Sequence, residues 1–480
     1  MKHVALSILL LLPSAVEAKM LYVDGASGND AVSYANNSPS QPWRTLGRAV
    51  WGQTTRPATY PGANASQAAR AGDTVIVKEG VYTTAAGSGA RNFPIYTPVN
   101  SGTAGSPIVI TGERRVELRA EPGSPGGPII GCYRSPHITW DNFYIDEQNI
   151  STVPDTGPVV AWDTTYCELR NLEIKSKTAQ WNDNHPGIRV EYADYVTISN
   201  NKIYDVRGYF GARSHINCPG IQLYKSEHIV IENNEIFNSD AGIFIKSESW
   251  TKTQGDITVR YNLLHDLAST GIIVMAADGN PGGKVYQNVI RNCATGITFF
   301  GLLGADYGPG PENVTVANNT IHNCSYAGLF LKSVINWSTG NRFWNNLITN
   351  SGYAVRADEE TGEGAARLIG SNFLSSEHNS YNRVTRHANV AYTEYSLPQW
   401  KSSYRQDSST PTSSIADPLY FDSSNNDFRL RQGSPVMNAG VDILDLDNDG
   451  SSTDPVTIGA YVTGNEVIGL KGLNLRIVPR

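Results

Sequence analysis

Six asparagines, Asn201, Asn234, Asn262, Asn288, Asn319 and Asn346, each lead a short apolar step such as Asn234-Glu-Ile or Asn319-Thr-Ile, at spacings of 33, 28, 26, 31 and 27 residues. After them a glycine opens a second run: Gly220-Ile-Gln-Leu, Gly242-Ile-Phe-Ile, Gly271-Ile-Ile-Val, Gly296-Ile-Thr-Phe and Gly328-Leu-Phe-Leu. A period of this length, rich in β-branched residues and broken by Asn and Gly turns, marks a stacked solenoid whose units bury their apolar faces against one another.

The strands narrow the choice of solenoid. Val196-Thr-Ile, Ile229-Val-Ile, Ile257-Thr-Val and Val314-Thr-Val alternate with period two, one face apolar and the other polar or mixed. Helical repeats need amphipathic runs of ~10 residues or more, which are missing here. Leucine-rich repeats are shorter and lack this Asn placement. The expected fold is all-β, a right-handed parallel β-helix of roughly nine to eleven coils stacked at ~4.8 Å. Equivalent side chains then form ladders, and the Asn ladder reads as scaffold, with inward amides hydrogen-bonding at a tight turn.

Residues 1–18 read as an export signal: Lys2 and His3 precede an apolar core from Val4 to Leu12, with small residues before a cleavage point after Ala18. That core is too short to span a bilayer, so a secreted or periplasmic chain without a membrane span is expected. The net charge of −7 argues against a nucleic-acid partner. It leaves room for an acidic polysaccharide, because a basic cleft can sit on an acidic body. The chain is expected to be a monomer. Residues 19–130 are expected to hold an N-terminal cap and first coils, 131–382 the β-helix core, and 383–480 the C-terminal coils and tail. Cys293 and Cys324 occupy the same place in consecutive coils, where stacking sets Cα atoms ~5 Å apart. A disulfide and a thiol ladder both fit; Cys132, Cys167 and Cys218 read as single buried thiols.

The N-terminal order is specific. Leu21-Tyr-Val-Asp-Gly-Ala-Ser-Gly-Asn-Asp30 is followed by a short helix over Pro42-Trp-Arg-Thr-Leu-Gly-Arg-Ala-Val50, a strand within Ala71-Gly-Asp-Thr-Val-Ile-Val-Lys-Glu-Gly-Val-Tyr82, and then Gly102 to Glu113. This order resembles the cap of secreted right-handed β-helix proteins of the pectate-lyase-like superfamily. The end, Gly433-Ser-Pro-Val-Met-Asn-Ala-Gly-Val441 with Ile458-Gly-Ala-Tyr461, is similar to their closing tail, which would lie back along the helix or cap it. The resemblance covers residues 20 to 460 and implies a polysaccharide-lyase-like fold.

Function on such a scaffold sits on an outer strand face walled by longer loops. Four residues on from each strand-opening Gly lie Glu191, Tyr224, Lys246, Met275, Phe300 and Lys332; two residues on lie Arg189, Gln222, Phe244, Ile273, Thr298 and Phe330. Arg189, Glu191, Gln222, Tyr224 and Lys246 form the polar group. Loops 177–185, 207–218 and 247–254 flank it, with Trp181, Tyr209, Phe210 and Trp250 as sugar-stacking faces. Elimination across a uronic acid needs its carboxylate neutralised, its C5 proton removed and the leaving oxygen protonated. Lys246 or His215 is the candidate base, with His185 a further one; Tyr224 is the candidate acid, and Arg189 or Arg213 the carboxylate clamp. Glycoside hydrolysis would instead pair acids among Glu191, Asp183, Asp240 and Glu248. A non-catalytic glycan-binding or cell-surface β-helix, or an epimerase, would use the same face.

Gly242-Ile-Phe-Ile-Lys246-Ser resembles the Lys-Ser step of alginate and dermatan lyases on this fold, which implies Lys246 as base. Those enzymes place an Arg one coil on, where this chain has Met275, and acidic calcium ligands before the Lys, where it has Ile243 and Phe244. A separate acidic turn, Asp445-Leu-Asp447-Asn-Asp449-Gly450, matches the first half of a calcium loop, though Val456 stands where a bidentate Glu is required. A plain acidic turn is the first reading of this stretch and a structural calcium site the alternative, so calcium is a candidate cofactor and none is certain.

Overall fold

Each expected asparagine turns inward at a corner and ties its coil to the next. The Asn201 backbone N–H and Nδ2 both donate to Asn234 Oδ1, at 2.9 and 3.0 Å, and Asn234 repeats this on Asn262 at 3.0 and 2.9 Å. The same pair of bonds continues through Asn288, Asn319 and Asn346. Nδ2 also reaches back to a carbonyl of the preceding coil, as Asn262 does to Ile231 at 2.9 Å. Every one of these buried amides is therefore bonded on both sides, as burial demands. The ladder has a further rung, Asn379, which accepts from Asn346 at 2.8 and 3.2 Å. It ends on a carboxylate, with Asn379 Nδ2 donating to Asp407 Oδ1 at 2.9 Å. The residue before each rung bends the chain into the left-handed region, with φ of 56° at Asn200, 57° at Asn233 and 53° at Asn318, a conformation that Asn tolerates.

The computed structural model describes residues 17–57, 64–84, 96–123, 127–150, 156–177, 184–208, 216–246, 255–275, 282–301, 311–332, 339–358, 373–408, 415–446, 449–462, 466 and 468–470. Two parallel sheets wrap the core. The first stacks 12 strands, starting with Met20–Val23 on Thr74–Val77 and Thr74–Val77 on Ile108–Gly112, so the stack begins within the cap. The second, with 20 strands, takes the other strands of the coils, for example Glu235–Phe237 on Leu263–His265 and Ala241–Lys246 on Thr270–Val274. Inside, Ile198, Ile231, Val259, Val285, Val316 and Phe343 form one continuous column, each fully buried. Burying side chains of this size stabilises by about 1.5–3 kcal/mol each.

The strand-opening glycines answer to close approach. A Cβ on Gly242 would lie 2.3 Å from the Gly271 carbonyl oxygen, and one on Gly271 would lie 2.4 Å from Ile290 Cγ2.

Both ends of the stack are closed, which protects the sheet edges from pairing with another chain. At the start, helix Leu46–Trp51, capped by Thr45, buries all six of its residues. At the far end the coil pattern outlasts Tyr381: Arg386–Val390 still pairs in parallel with Tyr353–Asp358. Thr393–Tyr395 then runs antiparallel and ends the sheet, and helix Leu397–Tyr404 brings in the buried Trp400. The tail lies back along the coils. Phe428 and Ala460 pack on Val289, Val436 and Ile458 pack on Leu347, and Asn345 Nδ2 donates to the Val441 carbonyl at 2.7 Å.

All five cysteines are buried free thiols. Cys293 and Cys324 are register partners with Sγ atoms 3.0 Å apart. Cys132, Cys167 and Cys218 are buried, as expected, with Cys167 Sγ donating to the Ser135 carbonyl at 3.6 Å. Among the described residues no helix is long and apolar enough to cross a membrane. The expected export signal lies almost wholly outside the described residues.

Two tests follow from the ladder. Asn288→Leu leaves the buried Asn262 backbone N–H without its acceptor and removes one of the Asn262 Nδ2 bonds, so urea unfolding followed by circular dichroism should show a loss of about 3 kcal/mol, whereas Asn238→Gly at an exposed corner should cost under about 1. Asp407 accepts from Tyr381 Oη at 2.8 Å and Trp400 Nε1 at 2.9 Å, yet burial pushes its carboxyl up to about 6. The native state then holds this proton more tightly than the unfolded chain. The resulting stability is complete below the usual carboxylate range and is lost as pH rises through about 6, on the order of 3 kcal/mol. Thermal melts between about pH 4 and pH 8 should show this decline in the wild type, and Asp407→Asn should flatten it.

Candidate functional site

Alternation along a strand sends every second side chain outward, and the stacking register decides which of them meet. Here Arg189 pairs with Gln222 and Gln222 with Phe244; Glu191 pairs with Tyr224 and Tyr224 with Lys246. Three successive coils thus carry both predicted rows in the expected register.

The polar group is tightly interlocked. Arg189 Nε and Nη2 donate to Glu191 Oε2 at 2.7 and 2.6 Å. Its guanidinium lies 4.4 Å from the Tyr224 ring centroid and 5.5 Å from that of Trp162. Lys246 Nζ lies 4.9 Å from the same Tyr224 ring and donates to Asn217 Oδ1 at 3.1 Å. A cation against an aromatic face gains about 0.5–2 kcal/mol, more where water is excluded. Water is largely excluded here: Arg189 is 7% exposed, Glu191 9%, Tyr224 2% and Gln222 0%, while Lys246 is half-buried. Gln222 stands out chemically, because both its Oε1 and its Nε2 are buried without a hydrogen-bond partner.

Beyond Lys246 the face turns apolar. Phe244, Ile273, Met275 and Phe300 form one buried cluster with Ala241. The arrangement combines two cations, one carboxylate, a phenol, an unpaired amide and a hydrophobic floor, a set with a net positive charge suited to a sugar carboxylate beside sugar C–H faces.

Other predicted residues fall elsewhere. His185 is fully buried, with Nε2 2.9 Å from Glu147 Oε2, which also accepts from Ser176 Oγ at 2.7 Å; it secures a turn inside the stack. Asp240 is 3% exposed and accepts the Gly208 N–H at 2.8 Å, while Glu191 engages Arg189, so these two acids form no hydrolytic pair in the contacts described. His215, Arg213, Trp181, Asp183, Tyr209, Phe210, Glu248 and Trp250 lie outside the described residues. In the tail, Asp445 Oδ1 accepts the Gly450 N–H and Asp449 Oδ1 the Ser451 N–H, while Asp447 lies outside the described residues. Among the described residues no group of three or more His, Cys, Asp or Glu could hold a metal. Sequence reasoning missed Asn217 and Trp162. Trp162 pairs in register with Glu191, but Pro158 stands where the glycine signal would have marked that strand.

A cavity of about 200 Å³ lies away from this face, between tail and coils, lined by His322, Thr349, Arg383, Tyr420 and Arg431 among others. Burial, with Arg291 nearby, holds the His322 imidazole down at about 4, so it is neutral at ordinary pH.

A family profile described as a right handed beta helix region matches residues 129–302 and 213–380. No curated protein gives a significant match to the sequence. Among solved structures the chain is similar to the crystal structure of a pectate lyase, at 17% identity and a TM-score of 0.51 over 92% of this chain and 96% of that one. It is also similar to the A-module of an Azotobacter vinelandii mannuronan C-5 epimerase, at 15% identity and a TM-score of 0.44 over 68% of this chain and 88% of that one. An exopolygalacturonase from Thermotoga maritima is similar at 11% identity and a TM-score of 0.40, over 66% of this chain and 81% of that one. At these identities the likeness is one of fold.

The interlocking predicts an asymmetry in stability. Glu191→Ala leaves a buried guanidinium without its carboxylate and should cost about 3 kcal/mol or more by thermal unfolding. Lys246→Ala, at a half-buried position, should cost about 1 kcal/mol or less.

Proposed function

Since the chain belongs to the family of right-handed β-helix region proteins, we propose that it is a secreted carbohydrate-active enzyme that cleaves a uronate-containing polysaccharide by β-elimination. The observation that carries this reading is the placement of Arg189, Gln222, Tyr224 and Lys246 on one outer face of three successive coils, with both cations against the Tyr224 ring. The similar fold of a pectate lyase supports the substrate class. The Lys2 to Ala18 pattern supports secretion.

In this reading Arg189, oriented by Glu191, neutralises the sugar carboxylate, and Gln222 offers its unpaired amide to the same group. Lys246, after giving up a proton to solvent to become the neutral amine, takes the C5 proton. The C5–H electron pair becomes the C4–C5 double bond, the C4–O bond breaks, and the departing oxygen keeps that bond's pair and takes a proton from Tyr224 Oη. One fragment ends in an unsaturated uronate and the other in a new hydroxyl-bearing end. Neutralising the carboxylate lowers the cost of the carbanion that forms at C5, which is where such sites gain most of their rate. No step needs a metal.

The burial of Arg189, Glu191, Gln222 and Tyr224 favours a second reading, in which the polar group mainly braces a non-catalytic glycan-binding β-helix.

Ultraviolet absorbance during incubation with alginate, polygalacturonate and dermatan separates the two. The proposal expects a rise with at least one polymer, unaffected by chelator, and a loss of about 10²-fold or more in rate for Lys246→Ala and for Tyr224→Phe. A flat trace across the panel with polymer length unchanged would leave the binding reading standing.

A further inference from the structure

The constellation around Tyr224 occurs a second time on the same face. Val355-Arg356-Ala357-Asp358 repeats the spacing of Ile188-Arg189-Val190-Glu191, and register carries both rows onward: Thr298, Phe330, Arg356 and Asn389 in one, Phe300, Lys332 and Asp358 in the other. Arg356 Nε donates to Asp358 Oδ1 at 2.8 Å, as Arg189 does to Glu191. Arg356 lies 4.3 Å from the Tyr326 ring, as Arg189 lies 4.4 Å from Tyr224. Lys332 Nζ lies 4.9 Å from the Phe300 ring, as Lys246 lies 4.9 Å from Tyr224. Tyr326 Oη donates to Asp358 Oδ2 at 3.1 Å. Both groups have two cations and one carboxylate, a local excess of positive charge on a chain of net charge −7.

Two further features point to a ligand. Thr298 Oγ1 and Asn389 Oδ1, on residues 4% and 6% exposed, are buried without a hydrogen-bond partner on the row that carries Arg356. Leaving such groups unpaired costs about 1–3 kcal/mol each, which a hydroxyl-bearing ligand would relieve. The Arg356 and Asp358 side chains are also more accessible, at 20% and 28%, than those of Arg189 and Glu191, at 9% and 12%.

We propose that Arg356, Asp358, Tyr326 and Lys332, with Thr298 and Asn389, form a second glycan subsite. It takes a carboxylated sugar unit of the chain that also occupies the Arg189–Lys246 group. From Arg189 to Arg356 the row climbs six coils, ~29 Å at ~4.8 Å per coil. The apolar stretch of Phe244, Ile273, Met275 and Phe300 lies between the two groups and fits the sugar C–H faces of a chain crossing it. Here the lysine rests on Phe300 and the tyrosine hydroxyl is engaged by Asp358, so the pairing of Lys246 with Tyr224 is not repeated among the described residues, and this group holds the polymer and leaves cleavage upstream. The inference rests on the uronate reading given above.

The test compares uronate oligomers too short to reach from one group to the other with oligomers longer than that span, by calorimetric titration of the wild type, Arg356→Ala and Lys332→Gln. Lys332→Gln leaves the Arg356–Asp358 pair intact, and melting curves verify folding of both variants. The long oligomer should bind the wild type roughly 10²-fold more tightly than the short one, since the second contact is intramolecular. Arg356→Ala should abolish that advantage and Lys332→Gln reduce it, with short-oligomer binding unchanged. Cleavage and binding of short oligomers with no length advantage, or an advantage that survives Arg356→Ala, would overturn the second subsite while the elimination reading stands. If instead a neutral polymer binds with a length advantage that Arg356→Ala removes, the uronate reading falls and the carboxylate part of this proposal with it. If no oligomer of any length binds, both fall.

Discussion

One hydrogen-bonding unit, an inward amide that accepts from the coil before it and donates to the same coil's carbonyl, organises the whole molecule. An Asn side chain satisfies both demands at once, which neither Asp nor Leu does at a fully buried corner. Because each rung uses its neighbour's oxygen, the coils cannot slip in register without leaving several amides unpaired. Asp407 supplies the final acceptor where the ladder ends, beneath the closing helix. The ladder thus explains the regularity of the stack, while burial, working against the Asn379 hydrogen bond, raises the carboxyl that terminates it.

The outer face that carries the candidate site inherits that regularity. A parallel stack sets equivalent residues ~4.8 Å apart, so a cation one coil away from an aromatic ring rests against it without any loop to position it. Arg189 and Lys246 both use Tyr224 in this way, and Arg356 and Lys332 find rings of their own. Side chains held by neighbouring coils keep their rotamers without substrate, which lowers the entropy cost of arranging a charged site.

Much of this was legible from residue pattern alone. The Asn and Gly steps disclosed the coil, and counting from each glycine placed Arg189, Gln222, Tyr224 and Lys246 on one face because strand alternation and parallel register leave no other choice. Beyond those markers the residue pattern carries no signal. Ala354 stands in the place of a strand-opening glycine, so Arg356 and Asp358 were passed over although they sit in the same rows. Asn379 is followed by Ser380 and Tyr381 instead of an apolar step, which hid the last rung. Pairings across separate coils, such as Lys246 with Asn217 or His185 with Glu147, have no sequence periodicity to reveal them. The tail could be recognised as a closing segment, but its route along Val289 and Leu347 depends on surface complementarity that a pattern does not encode.

Elimination at the Lys246 face is tested most directly by the masses of the products. A defined uronate oligomer incubated with the purified protein and examined by mass spectrometry should give paired fragments whose masses add to that of the parent, as elimination consumes no water. Fragment pairs heavier than the parent by one water would contradict elimination and assign hydrolysis instead, and an intact oligomer would contradict cleavage altogether.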